Sequence, residues 1–443
     1  MPEQPANILI IHCHDLGQHL GCYGIDTVRS PHIDRFAREG ILFRRAFATA
    51  PQCSPSRASM YTGTYPEQNG VMGLCSPIMG WDLNPDVRHL GQILSAADYF
   101  TFGCGIIHET HSGPQRCGLQ AYDNEEAVAK MPESFARQLS IAKQDGRPFY
   151  GQVGFFAPHR RPIDWRNKKE DQGFLEAGME PDTAKGVQVP GYLTDTTGTR
   201  DELAELQAAI HGVDHAFGEM LRTLEQAGLR ENTILVLTTD HGIAMPRAKC
   251  SLYDPGIEIA MLLQWPEKLT KARTIDALYS NIDLTPTLLE LAGLRALPRM
   301  SGLSWAPVLL HEAKPARGEI FASMTFHDYY FPMRAIRTDR HKLIVHFSNT
   351  HAFMDPTQSW HHRSSTITPP NNNRSQSPLV ELYDLEADPW EQHNLAEDAD
   401  YSAIKRDLLQ RLARHMREVG DPLPKQGFPS PRHVQACELL EFN

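Results

Sequence analysis

Thr233-Ile234-Leu235-Val236-Leu237-Thr238-Thr239 is an apolar, β-branched run that ends directly on Asp240-His241-Gly242. Such a run has the pattern of a strand buried inside a sheet. The chain begins in the same way, because Asn7-Ile8-Leu9-Ile10-Ile11 leads through His12 and Cys13 to His14-Asp15. Phe100–Cys104, Phe149–Phe156 and Ile259–Gln264 are further strand candidates, and helical patterns separate them. The clearest helix spans about Asp201 to Gln226, with Leu203, Leu206, Ile210, Val213, Phe217, Met220 and Leu224 on one face and Gly228 as its stop. This alternation predicts an α/β fold, with a large mixed but mostly parallel sheet sandwiched by helices. Ligand sites in open α/β sheets gather at the carboxyl ends of strands. His14-Asp15 and Asp240-His241 are expected at two such ends, where four metal-capable side chains can converge on one ion.

The length of 443 residues suits one large α/β domain, placed at residues 1–315, and a smaller unit at 316–443. Past Pro315 the pattern shifts to short β-like runs (Ala335–Thr338, Lys342–Phe347, Glu381–Asp384) and a helix from Ile404 to about Met416. That predicts a small α+β subdomain with an antiparallel sheet and a terminal helix. Residues 165–199 and 349–378 are polar excursions, and within the second Ser359-Trp360-His361-His362 is a candidate pocket wall. A net charge of −11 argues against general nucleic-acid binding. An anionic substrate must then be attracted locally, by a metal and a few cations. No apolar run reaches the roughly 18 residues of a membrane span. The cysteines at 13, 22, 53, 75, 104, 117, 250 and 437 show no disulfide rhythm, and no basic segment of a secretion signal precedes the first strand. Cytoplasm is therefore the expected location, and a homodimer is left open.

The segment that carries the chemistry is Cys53-Ser54-Pro55-Ser56-Arg57, followed by Ala58-Ser59-Met60-Tyr61-Thr62-Gly63. Ser54 to Thr62 has the composition of a short helix, with Pro55 in its first turn. Cys53 then sits at a helix N-terminus, where unpaired N–H groups and the dipole favour negative charge. Arg57 lies one turn on, on the same face.

This pattern resembles the sulfatases of the alkaline phosphatase superfamily, in which a maturing enzyme oxidises the cysteine to the aldehyde formylglycine. The resemblance implies that Cys53 is a precursor and that its hydrated aldehyde is the nucleophile. It implies a metal site at His14, Asp15, Cys53, Asp240 and His241. Asp15 matches the second aspartate of the family's usual Asp-Asp pair, and Asp240-His241 matches the later pair. His14 departs from the pattern by replacing the first aspartate. Ca2+ is the favoured ion, with Mn2+ or Zn2+ as alternatives.

Three further segments are similar to the family's anion pocket. Gly105-Ile106-Ile107-His108 resembles Gly-Lys-x-His, so His108 matches while Ile106 replaces a cation. Phe156-Ala157-Pro158-His159 resembles the segment whose histidine lies near the leaving group, and Lys249 matches a sulfate-binding lysine. Alone, each of these residues reads as an ordinary structural side chain. Together with Cys53 they imply a mechanism. The metal and Lys249 neutralise the sulfate while Arg57 holds the diol. One diol hydroxyl attacks sulfur, and His159 protonates the departing alcohol or amine. The second hydroxyl loses its proton, to a base such as His108, and expels sulfate as the aldehyde reforms.

Most of the chain is similar to the heparan N-sulfatase branch, through Cys53–Gly63, Gln68-Asn69-Gly70, Leu252–Gly256, Phe331–Arg334, Glu381–Asp384, Asp388-Pro389 and Asn394-Leu395. Arg160, His327, Asp328 and Arg334 are candidates for sugar recognition. The resemblance implies a small sulfated sugar as substrate and a formylglycine-generating enzyme as partner. Two alternatives remain: a phosphonate monoester or phosphodiester hydrolase on the same fold, and a non-catalytic binder of sulfated sugars.

Overall fold

The computed structural model describes residues 5–164, 169–315, 317–348, 367–368, 371–372 and 376–426. Ser359-Trp360-His361-His362 and Cys437 lie outside the described residues. Eight strands form the central sheet. They are β1 (Asn7–Cys13), β2 (Ile41–Phe47), β3 (Phe100–Gly105), β4 (Ala121–Asp123), β5 (Phe149–Phe155), β6 (Thr233–Thr239), β7 (Met261–Gln264) and β8 (Arg273–Ser280). Their order across the sheet is β8-β2-β7-β6-β1-β5-β3-β4. Every neighbouring pair is parallel except the two made by β7, which runs antiparallel to β2 and β6.

All residues of β1, β5 and β6 are buried, so these strands read in the sequence as nearly unbroken apolar runs. Successive side chains alternate between the two faces. Leu9, Ile11, Leu235 and Leu237 pack into one core with the helices Pro31–Glu39, Met131–Asp145 and Thr197–Gln226. Ile8, Ile10, Ile234 and Val236 pack into the other, with Met60, Tyr61, Leu90, Leu94, Leu284 and Leu288. The sheet is thus covered on both sides, as the alternating pattern predicts. The long helix begins at Thr197, upstream of the expected Asp201, because Thr196 caps it: its hydroxyl accepts from the Thr199 N–H at 3.1 Å.

A second sheet is antiparallel: β9 (Ile320–Phe326), β10 (Tyr330–Arg337), β11 (His341–His346) and β12 (Val380–Asp384). The helix Ser402–Glu418 lays Leu408, Leu412 and Met416 against it. Buried ion pairs tie this sheet to the chain that follows β6. Arg337 reaches Asp254 at 2.9 Å, and Lys342 pairs with the same carboxylate. Among the described residues no helix is long and apolar enough to cross a membrane.

Candidate active site

Parallel register brings four strand ends together. Cys13 pairs with Phe155 on one side and Thr239 on the other, and Gly105 pairs with Gly154. From these points the chain continues into His14-Asp15, Phe156–His159, Asp240-His241 and Ile106–His108. The helix Cys53–Thr62 is buried along its whole length and starts at Cys53 itself. Gln52 gives the helix no side-chain cap; it donates instead to the Phe326 carbonyl at 3.2 Å.

The metal-capable residues form one cluster. One oxygen of Asp240, Oδ1, accepts from the backbone N–H of Asp15 at 3.0 Å and from that of His241 at 2.9 Å. The other, Oδ2, is buried without a hydrogen-bond partner. His241 Nδ1 donates to the Gly242 carbonyl at 2.9 Å, which leaves a lone pair on Nε2. That lone pair lies 3.2 Å from Asp15 Oδ1 and 3.4 Å from Cys53 Sγ. Ligand atoms of Asp15, Cys53, Asp240 and His241 all fall within 4.8 Å of one another. Burial, and then the neighbouring Asp15, push the Asp240 carboxyl up from its ordinary range. Two crowded carboxylates, an orphaned oxygen and an imidazole lone pair facing a carboxylate are the donor set a divalent cation resolves. The residues therefore fit the ion.

Lys249 Nζ donates to Asp15 Oδ2 at 2.8 Å and to His159 Nε2 at 3.2 Å. His159 Nδ1 donates to the Arg160 carbonyl at 2.6 Å, so its Nε2 is an acceptor. Burial and then Lys249 lower the His159 pKa to about 4. Neutral His159 has no N–H to give at Nε2, and the proton in this pair resides on Lys249. The lysine is aimed by an unusual backbone, for Arg247 and Cys250 have φ of 62° and 64°. Arg247 Nη2 also donates to the carbonyls of Trp390 at 3.0 Å and Glu391 at 2.7 Å.

Arg57 turns away from the expected diol contact. Its Nε reaches Glu109 Oε2 at 3.0 Å, its Nη2 the Ile106 carbonyl at 2.8 Å, and its Nη1 His14 Nε2 at 2.7 Å. No hydrogen bond links it to Cys53. Glu109 also accepts from Gln152 at 2.6 Å and from the His108 N–H at 2.9 Å. Burial alone would raise the Glu109 carboxyl, but Arg57 and His89 hold it well below its usual range. The His108 ring stacks on His14 with centroids 5.9 Å apart, and burial followed by Arg57 lowers its pKa to about 3. Glu109, Gln152 and His89 were not singled out in the sequence. The only signal for Glu109 is its place directly after His108.

Of the sugar-recognition candidates, His327 and Asp328 lie in the turn between β9 and β10. His327 is buried, and its Nδ1 lies 3.4 Å from Asp328 Oδ1. The two arginines correct the sequence reading. Arg160 is buried, pairs with Glu202 at 2.8 Å, donates to the Ala244 carbonyl at 2.8 Å and covers the Phe174 ring at 4.3 Å. Arg334 is buried, pairs with Asp421 at 2.6 Å and donates to the Met324 carbonyl at 2.9 Å. Both guanidiniums are committed to internal partners, so neither is presented to a sugar.

Comparison with known proteins decides the family. The sulfatase family model matches residues 6–294. The chain belongs to the sulfatase family. A second model, for the C-terminal part of N-sulphoglucosamine sulphohydrolase, matches residues 246–364. The human N-sulphoglucosamine sulphohydrolase is 31% identical over 95% of this chain and 91% of its own length. An ulvan-active sulfatase of Formosa agariphila is 27% identical over 93% of this chain and 80% of its own. Among solved structures, a 2-O glycosaminoglycan sulfatase superposes with a TM-score of 0.71 at 21% identity, covering 96% of each chain. A protein solved with its substrate, D-glucosamine-2-N,6-O-disulfate, superposes with a TM-score of 0.72 at 20% identity, over 96% of this chain and all of that one. These structures share the fold of this sulfatase, with its mixed sheet and small antiparallel C-terminal sheet.

One glycine shows how tightly the site is built. Gly105 ends β3 with φ of 77°, and a Cβ there would lie 2.1 Å from the Gly154 carbonyl oxygen. Gly105→Ala is expected to destabilise the fold by more than about 3 kcal/mol. Thermal unfolding of the purified variant checks this, and an unchanged melting temperature would show that the two strand ends are looser than described.

Proposed function

We propose that this protein is a formylglycine-dependent sulfohydrolase that releases sulfate from a small sulfated sugar, with an N-sulfate as the first candidate linkage. The observation that carries the reading is the position of Cys53. It opens a buried helix beside Asp15, Asp240, His241 and Lys249, so the atom to be oxidised sits where cation and anion sites meet. The N-linkage is supported by the human relative and by the matched C-terminal part.

Cys53 Sγ stands in for the oxygens of the hydrated aldehyde, whose two geminal hydroxyls supply a nucleophile for sulfur and then a means to expel sulfate. A divalent cation held by Asp15, Asp240 and His241, proposed to be Ca2+, supplies charge neutralisation for the sulfate oxygens when bound. Lys249, fixed by Asp15 and His159, adds a second positive charge on the same group. The leaving nitrogen or oxygen takes its proton through the Lys249–His159 pair. His327 and Asp328 face the sugar. A formylglycine-generating enzyme is the proposed maturation partner.

The test has two stages. Protein from its native host is digested, and the tryptic peptide Ala46–Arg57 is weighed for an aldehyde at Cys53. The matured protein is then assayed side by side on N-sulfoglucosamine, O-sulfated glucosamines and an aryl phosphonate monoester. Fastest turnover of a sulfated sugar is expected. An aldehyde with preferred phosphonate hydrolysis would replace the sulfatase activity, and an unmodified thiol would favour a sugar-binding role.

A further inference from the structure

The two imidazoles beside the ion cluster have opposite hydrogen-bond assignments. Arg57 Nη1 lies 2.7 Å from His14 Nε2. A guanidinium has no acceptor, so it must donate and Nε2 must accept. The His14 proton then sits on Nδ1, because a proton on Nε2 would set two donors head to head. Nδ1 lies 3.3 Å from Asp240 Oδ2 and 4.0 Å from Asp15 Oδ1, and both Nδ1 and Oδ2 are buried with no hydrogen bond of their own, so Oδ2 is the nearest acceptor for that proton. In this tautomer His14 keeps no lone pair for a cation. His241 has its proton on Nδ1 as well, but that proton goes to the Gly242 carbonyl, and its free Nε2 points at Asp15 and Cys53.

We infer that His14 is not an ion ligand but a positioning residue, the last link of a buried chain running Gln152–Glu109–Arg57–His14 that presents an N–H to Asp240 Oδ2. The chain is anchored at each step: Gln152 on Glu109 at 2.6 Å, Glu109 on Arg57 at 3.0 Å, Arg57 on His14 at 2.7 Å. Glu109 and Arg57 are both fully buried, so their pair fixes the guanidinium that in turn fixes the imidazole. Negative charge toward the ion then comes from Asp15 and Asp240, with His241 as the neutral donor.

This inference rests on the proposed ion site, so the experiment keeps the two apart. Ca2+ and Mn2+ are titrated separately, by calorimetry and by metal analysis after dialysis, into matured wild type, His14→Ala, His14→Gln and Asp240→Ala. His14→Ala is expected to keep one ion per chain with Kd within about tenfold of wild type, while kcat falls about 10–100-fold at little-changed KM. His14→Gln, which can accept from Arg57 and donate to Asp240, is expected to recover most of that kcat. An affinity loss beyond about 100-fold in His14→Ala would make His14 a ligand and overturn the inference. Wild-type binding by Asp240→Ala would instead overturn the ion site itself. Should His14→Ala fail to fold, the 15N spectrum of histidine-labelled wild type decides. A protonated Nδ1 and an unprotonated Nε2 on His14, both kept when Ca2+ is added, are expected, and loss of the Nδ1 proton on adding Ca2+ would overturn the assignment.

Discussion

Replacing Cys53 with alanine is expected to lower kcat on a sulfated sugar by more than about 10⁴-fold while the melting temperature stays near that of wild type. The side chain is small and lies at the first position of the helix Cys53–Thr62, so alanine fits the same space. Its removal takes away the nucleophile and leaves Lys249, Asp15 and the ion donors in place. The ion should still bind, which separates this variant from a misfolded one. Cys53→Ser is expected to turn over substrate only slowly. A serine ester of sulfate has no second hydroxyl on the same carbon through which to eject the anion. Initial rates, a thermal melt and metal content on one preparation check all three statements. Residual turnover within tenfold of wild type in Cys53→Ala would end the formylglycine mechanism.

Asp240→Ala should remove ion and activity together. Asp240 has two functions in the geometry. Its Oδ1 clamps the Asp15 and His241 N–H groups at 3.0 and 2.9 Å, and its Oδ2 is the buried oxygen 3.3 Å from His14 Nδ1. Alanine removes both the clamp and the charge. Bound metal is expected to drop below about a tenth of an equivalent, and kcat by more than about 10³-fold. Asp240→Asn keeps an oxygen for the clamp and loses only the charge. It should therefore retain the fold and melt near wild type, with weakened ion binding. Full metal occupancy in Asp240→Ala would move the ion away from these strand ends.

The placement of the polar pairs at the strand ends is legible in the sequence because it follows one rule. Runs such as Thr233–Thr239 are continuous where a strand is buried on both faces, and polar pairs directly after them must lie at the sheet's carboxyl edge. Other strands were hidden by their surroundings. Ile41–Phe47 carries Arg44 and Arg45 in its middle, because that part of the strand reaches solvent. Arg273–Ser280 is the edge strand β8, and it mixes polar and apolar residues without a clean alternation. Antiparallel pairing of Met261–Gln264 has no local signature at all. Among site residues, a charge reads the same in sequence whether it faces a ligand or another side chain. Arg160 and Arg334 face Glu202 and Asp421, partners that lie far along the chain and leave no local trace. Glu109 is silent in the sequence for the same reason, since only folding brings it to Arg57 and Gln152.

Arg247 holds the loop that carries Lys249, and what Arg247 grips is the carbonyl pair of Trp390 and Glu391, well beyond the chain that forms the large sheet. Glu391 is in turn locked to Lys342 of β11. Lys249 is therefore aimed by a part of the chain more than a hundred residues further along. The two sheets cannot be traded as independent parts. A chimera keeps the grip on Arg247 only if the joined C-terminal portion returns two backbone carbonyls to the positions of Trp390 and Glu391.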